Sequence, residues 1–248
     1  MNISELPRLY IEYSIRKLHN QDLMTTVDGN IPDEMRDKTI VCESRDWVGW
    51  KTVLSTVTDQ ELNELEKHLG LKYPPLYRAF LQSYHFYELG ELQFCRHAIH
   101  NWRQTLESKY TSYSQLVRIG LIPFGNESLM DAGAVCFDTR LRDDSDDCPV
   151  VFWAHEWVGT DKEITPLFSS SEAMFRCLTF MAQSPLDFVY HDEQYDDSAT
   201  LPAKRQLLSQ FLALDPVGAG DAARDYWTSW GVTPSQAPGT APSTKMKA

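Results

Sequence analysis

No stretch of the 248 residues approaches the roughly 18 consecutive apolar positions of a membrane span. The opening MNISELPRLY has no apolar core of the signal-peptide kind, so no secretory leader is expected. Cysteine is sparse and odd in number, five in all (42, 95, 136, 148 and 177), with no framework spacing. That pattern predicts reduced thiols and a cytoplasmic location. Positive charge is also short, with 23 basic against 35 acidic side chains and a net charge of −12. A chain of that sign lacks the basic face that phosphate binding needs, which argues against nucleic acid as a direct ligand.

The familiar signatures of chemistry are missing too. There is no G-x-S-x-G elbow, no P-loop, no dinucleotide fingerprint, no H-E-x-x-H and no paired C-x-x-C. Cys95, His97 and His100 fall within six residues, but a zinc site needs four closing ligands and no second cluster follows. The aspartates at 143–147 resemble a calcium loop in composition alone, without its glycine or its bidentate glutamate. His155-Glu156 follows an apolar run and could serve as an acid–base pair, yet no nucleophile or oxyanion donor accompanies it. The reading is a binding protein with no metal and no cofactor, and a hydrolase using His155 and Glu156 is the weaker alternative.

What is present is an ordinary globular composition, 42% apolar and 23% charged, in a chain long enough to bury a large core. Periodicity predicts a helix over 6–19, carried by Leu6, Leu9, Tyr10 and Tyr13, then a polar, turn-rich segment at 28–38. Trp47 and Trp50, three apart, read as packing anchors. Thr58-Asp-Gln-Glu61 is a capping box before Leu62, Leu65 and Leu69, and Gly70 suits a left-handed stop. Pro74 and Pro75 open a second helix with Leu76, Tyr77, Phe80, Leu81 and Tyr84. Leu92 and Phe94 suggest a short strand, and residues 98–108 a third helix. Val117–Leu121, Ala134–Phe137 and Pro149–Ala154 read as strands, the last central because it is apolar throughout. Ser169-Ser-Ser-Glu172 reads as a second capping box before Met174, Leu178 and Met181. Leu207, Leu208, Phe211 and Leu212 mark another helix, and Tyr226, Trp227 and Trp230 a last one with Gly231 as its stop. Residues 232–248 read as a disordered, removable tail.

The negative charge is concentrated. Residues 131–197 hold 15 acidic and 4 basic side chains, a net −11 within one quarter of the chain. Such a segment is either a solvated face or a surface for a basic protein partner. Asp143, Asp144, Asp146, Asp147 and Glu156 are the candidate contacts, able to form forks with arginine. Trp157, past the end of the apolar run, is the candidate aromatic anchor, whereas Trp153 within the run reads as core.

The segment TDQELNELEKHLGLKYPPLYRAFLQSY (58–84) resembles the opening of a SUKH superfamily domain, the Smi/Knr-type fold. Glu66, Gly70, Pro74 or Pro75, Tyr77, Phe80 and Leu81 carry the likeness. LIPFG (121–125), AVCFD (134–138), PVVFWAHEW (149–157) and a helix after Phe168 follow in the family's order, so the resemblance spans about 47–183. One departure is Met130-Asp131, where the family usually has Gly-Asp. The resemblance implies an α+β fold: a SUKH-like mixed α/β domain with a helix pair, a mostly antiparallel sheet and a closing helix. The expected layout is an N-terminal helix and linker (1–46), the domain (47–190), a helical extension (191–231) and the tail. Function follows from the resemblance as binding: a non-catalytic immunity protein, or antitoxin, neutralising a cognate basic toxin such as a nuclease. A Syd-like or Knr-like cytoplasmic adaptor on a basic protein face is the alternative.

Overall fold

A computed structural model describes residues 3–27, 31–42, 46–89, 92, 94–126, 133–154, 164–186 and 199–229. Helix α1 (Leu6–Asn20) starts with Pro7 in its first turn and turns Leu6, Tyr10, Ile11 and Ser14 inward. Strands β1 (Thr25–Val27) and β2 (Trp47–Gly49) form an antiparallel ribbon, and β3 (Val53–Leu54) with β4 (Tyr84–His85) a second. Between those last two strands sits a helix pair, α2 (Asp59–Leu69) and α3 (Pro75–Leu81). Its start is the expected capping box: Thr58 Oγ1 accepts the Glu61 amide at 3.2 Å, and Glu61 Oε2 accepts the Thr58 amide at 2.8 Å. Its turn is the expected one too, with Gly70 at φ 66°.

The helices α4 (Trp102–Ser112) and α5 (Ser114–Arg118) lead into a four-stranded antiparallel sheet. Its strands are β5 (Leu121–Asn126), β6 (Gly133–Asp138), β7 (Val150–Ala154) and β8 (Ile164–Phe168), paired in that order. Helix α6 (Ser171–Gln183) follows, then α7 (Leu201–Leu214), a π turn (Gly218–Ala222) and α8 (Arg224–Ser229). The architecture is α+β, as the sequence reading expects.

Period-two alternation divides the sheet between two cores. Ile122, Phe124, Val135, Phe137, Val150 and Phe152 face the main one, which also takes residues from α1, α2, α3, α6 and α7. Phe80 lies at its centre, with ring centroids 4.7 Å from Phe94 and 5.6 Å from Phe175. Leu121, Ala134, Cys136, Val151 and Trp153 face the opposite way and pack with Leu116 of α5. Trp153 is therefore core, as expected, and β7 is an interior strand.

The extensions share the main core. Tyr10 of α1 reaches Phe80, Phe94 and Phe175, and Trp227 of α8 packs on Phe168 and Phe211. The C-terminal elements are also fastened by one buried carboxylate. Asp215 accepts the Ser169 amide at 2.8 Å, the Ser169 hydroxyl at 2.6 Å, and the Gly218 and Ala219 amides at 3.0 and 3.2 Å. Four donors satisfy a carboxylate that burial would otherwise penalise. Gly218 is obligatory there, because a Cβ would lie 2.2 Å from the Ser169 nitrogen.

Several local expectations are corrected. The strand at 117–121 begins only at Leu121: Val117 lies in α5, which ends at Arg118, and Gly120 at φ 88° reverses the chain between helix and strand. The third helix starts at Trp102, because His97 is held in an antiparallel bridge to Phe86 and the chain must turn before it can coil. Phe94 makes an isolated bridge to Gly125, and residue 93 of the expected strand lies outside the described residues. The cap of α6 is Ser170, whose Oγ accepts the Ala173 amide at 3.0 Å. Ser169 is drawn instead to Asp215, and Glu172 pairs with Arg176 at 2.6 Å. Trp50 is fully buried as expected, whereas Trp47 is 45% exposed. Met130-Asp131, Trp230, Gly231 and the tail lie outside the described residues.

Candidate interaction surface

The acidic segment enters the described structure as the connection from β6 to β7. It opens on Asp138, buried at the strand end, whose carboxylate holds the Arg140 guanidinium as a fork of two 2.8 Å bonds. A short 3₁₀ turn (Thr139–Leu141) follows, and then the loop with the four candidate aspartates.

Three of those four are engaged within the molecule. Asp143 Oδ1 accepts the Ser145 amide at 2.8 Å, the Ser145 hydroxyl at 2.7 Å and the Asp147 amide at 3.0 Å, which closes the loop on itself. Asp146, at φ 65°, offers Oδ2 to the Lys72 ammonium, while Arg142 donates to the Asp146 carbonyl at 2.6 Å. The Ser145 hydroxyl bond holds the Asp143 carboxyl below its ordinary range, and Lys72 does the same for Asp146. Asp147 turns inward and serves α6. Its Oδ1 accepts the Ser171 amide at 3.0 Å, and its Oδ2 the Glu172 amide at 3.2 Å. Those are open donors of the first helical turn, where the backbone dipole also favours a negative charge. Asp144 is exposed, and no described residue bonds its carboxylate.

Glu156 and Trp157 of the candidate surface, together with His155, lie outside the described residues. So do nine of the fifteen acidic side chains of 131–197.

Cys95, His97 and His100 do not converge. His97 is buried, and its Nε2 donates to the Leu81 carbonyl at 2.7 Å. His100 is exposed beside Glu34, 3.3 Å away. Among the described residues, no group of three or more potential ligands is placed to hold a metal ion. Four of the five thiols are chemically quiet. Burial pushes Cys95 up to about 11 and Cys148 to about 12, and raises Cys136 and Cys177 as well. Reactive cysteines are shifted the other way.

Sequence reasoning missed the stacked histidines His85 and His97, whose ring centroids are 4.7 Å apart. The Thr56 amide can only donate to His85 Nε2 at 3.1 Å, so His85 Nδ1 carries the proton and donates to the His97 carbonyl at 3.0 Å. It also missed the tie between the paired helices. Glu66 is buried, with Oε1 accepting the Tyr73 amide at 2.9 Å and Oε2 accepting Arg78 at 2.6 Å. Arg78 reaches Asp59 in turn, at 3.0 Å.

Residues 56–177, about half of the chain, match the SMI1 / KNR4 family (SUKH-1). The chain belongs to the SUKH superfamily. The matched segment runs from the approach to the capping box to the middle of α6, so Glu66, Phe80, the acidic loop and the whole sheet lie inside it. The ribbon β1–β2, strand β3 and helices α1, α7 and α8 lie outside the matched segment, and α1, α7 and α8 pack into the main core. No curated protein matches the chain. Among the described residues, no helix of this SUKH protein is long and apolar enough to cross a membrane.

Proposed function

We propose that this SUKH protein works by binding, as a cytoplasmic immunity protein that occupies and neutralises a basic toxin domain such as a nuclease. It performs no turnover of its own. The observation that carries this reading is the net −11 of residues 131–197 within a SUKH chain. A nuclease must present cationic groups to phosphate, and carboxylates that reach those groups first exclude the substrate. Asp144, exposed in the loop, leads that surface, and Glu156 and Trp157 are its further candidate contacts from the sequence. The buried, high-pKa thiols support binding over covalent chemistry among the described residues.

The test is capture from the native cytoplasm on the tagged full-length chain, followed by an activity titration. A basic protein that survives a low-salt wash is eluted, its nuclease activity is measured, and the SUKH protein is added back. Stoichiometric loss of that activity, with Kd in the nanomolar range or tighter, is the expected result. Capture only of micromolar, non-enzymatic partners would replace the immunity reading with the Syd-like or Knr-like adaptor. A substrate turned over by the SUKH protein itself, and lost in the double variant His155→Ala, Glu156→Ala, would establish the hydrolase instead.

A further inference from the structure

The ribbon outside the matched segment presents a strand edge to which no described residue is paired. The Trp50 amide donates to the Met24 carbonyl at 3.0 Å, so Met24 faces Trp50, and Thr26 faces Val48, as hydrogen-bonded pairs. By the alternation of an antiparallel ladder, the amides and carbonyls of Thr25 and Val27 then point away from β2. The two-stranded sheet ends there, and no described residue bonds those groups. The opposite edge of β2 is covered, since the Asp37 amide donates to Gly49 and the Lys51 amide to Met35, both at 2.9 Å.

The side chains divide the same way. Met24, Thr26 and Trp50 turn inward and are buried, whereas Leu23 and Val27 are each 55% exposed. Val27 lies directly across from Trp47, so the outer face carries an apolar strip of Leu23, Val27 and Trp47. Trp47 also walls a cleft of about 320 Å³ shared with Arg36, Lys38, Ile40 and Cys42. Natural edge strands are usually guarded by lysine, proline or a bulge, and LMTTV (23–27) has none of these. Asp22, exposed, precedes it.

We propose that β1 is a docking edge for an extended segment of a protein partner, which adds a third strand beside Thr25–Val27. Main-chain bonds to Thr25 and Val27 hold the segment, apolar side chains on its outer face lie against Leu23 and Val27 with Trp47 behind, and a basic residue flanks it. Exposed Asp22, just before the strand, selects a basic residue at that end. This deepens the binding reading above, on which it rests for the sign of the partner's charge.

The test uses the full-length chain and a capped peptide of alternating valine and threonine with a lysine at each end. Amide exchange at Thr25 and Val27 is followed by NMR, together with the Trp47 indole signal. Saturating peptide should slow exchange at both amides about tenfold and shift the indole, with both effects weaker in high salt. A peptide ending in glutamates should need a several-fold higher concentration, and one with a central proline should do nothing. Val27→Lys and, separately, Trp47→Ala should weaken docking while leaving the melting transition in place. Unchanged amides at millimolar lysine peptide would overturn the proposal. Slow exchange at Thr25 and Val27 in the free chain, together with a dimeric mass, would overturn it as well by giving the edge to a second copy. Because the peptide needs no toxin, docking without any captured basic partner would sink the immunity reading alone. The reverse pair of results would sink the edge alone.

Discussion

The loop 143–147 and the ribbon β1–β2 look opposite in sequence, one dense in charge and the other short and bland. In the folded molecule their availability is reversed. Asp143, Asp146 and Asp147 already bond Ser145, Lys72 and the first turn of α6, so Asp144 is the loop carboxylate that no described residue bonds, although Asp143 is exposed as well. The ribbon leaves the main-chain groups of Thr25 and Val27 without a partner among the described residues, and Trp47 45% exposed. Charge counted along a chain is an upper limit on charge a partner can reach, because short polar loops bond to themselves.

That contrast can be broken in graded steps. The largest loss belongs to a carboxylate outside the acidic quarter: Asp215→Ala should cost about 3 kcal/mol in a denaturant melt, since four donors, the buried Gly218 and Ala219 amides among them, lose their acceptor. Acid separates the next effect. Burial presses His97 down to about 3 from an ordinary 6.5, and burial lowers His85 as well. The unfolded chain therefore takes up protons near 6.5 while the folded chain does not, and stability falls as pH drops from that value toward about 3. The loop carboxylates Asp143 and Asp146 are also lowered, but they begin to be lost only below the ordinary carboxylate range. Between pH 6.5 and about 4.5 the histidines thus act without the loop, and His97→Gln should flatten the urea midpoint over that window.

Asp147→Ala should cost about 1–2 kcal/mol, the usual value for a helix N-terminal acceptor, read as a lower thermal midpoint. Asp144→Asn should change stability by less than about 0.5 kcal/mol, yet slow association with a basic partner and reduce its salt dependence. Equal stability losses at Asp144 and Asp147 would erase the distinction between a reachable carboxylate and a structural one. Neutralising all four aspartates together mixes the two, because it also unties α6.

Much of the fold was legible because its signals are local. The capping box at Thr58, the left-handed Gly70, the proline start of α3 and the apolar run of β7 each act within a few residues. The misses come from long-range partners. Ser169 lost its capping role to Asp215, 46 positions away, and Asp147 found its own use at Ser171. Trp47 was readable in principle. Three positions separate it from Trp50, and on a strand an odd separation puts two side chains on opposite faces. Taking the pair as one anchor ignored the strand period. His85 and His97 meet only when Phe86, just past β4, bridges His97, which no spacing rule announces.

The decisive measurement is hydrogen exchange on the full-length chain, free and saturated with its captured basic partner, read residue by residue. The account predicts slower exchange at Thr25 and Val27, slower exchange around Asp144, and no change in the buried strands β6 and β7. A tight complex in which neither the ribbon edge nor the acidic loop gains protection would contradict it, and would place the partner on a surface that neither charge nor open backbone marks.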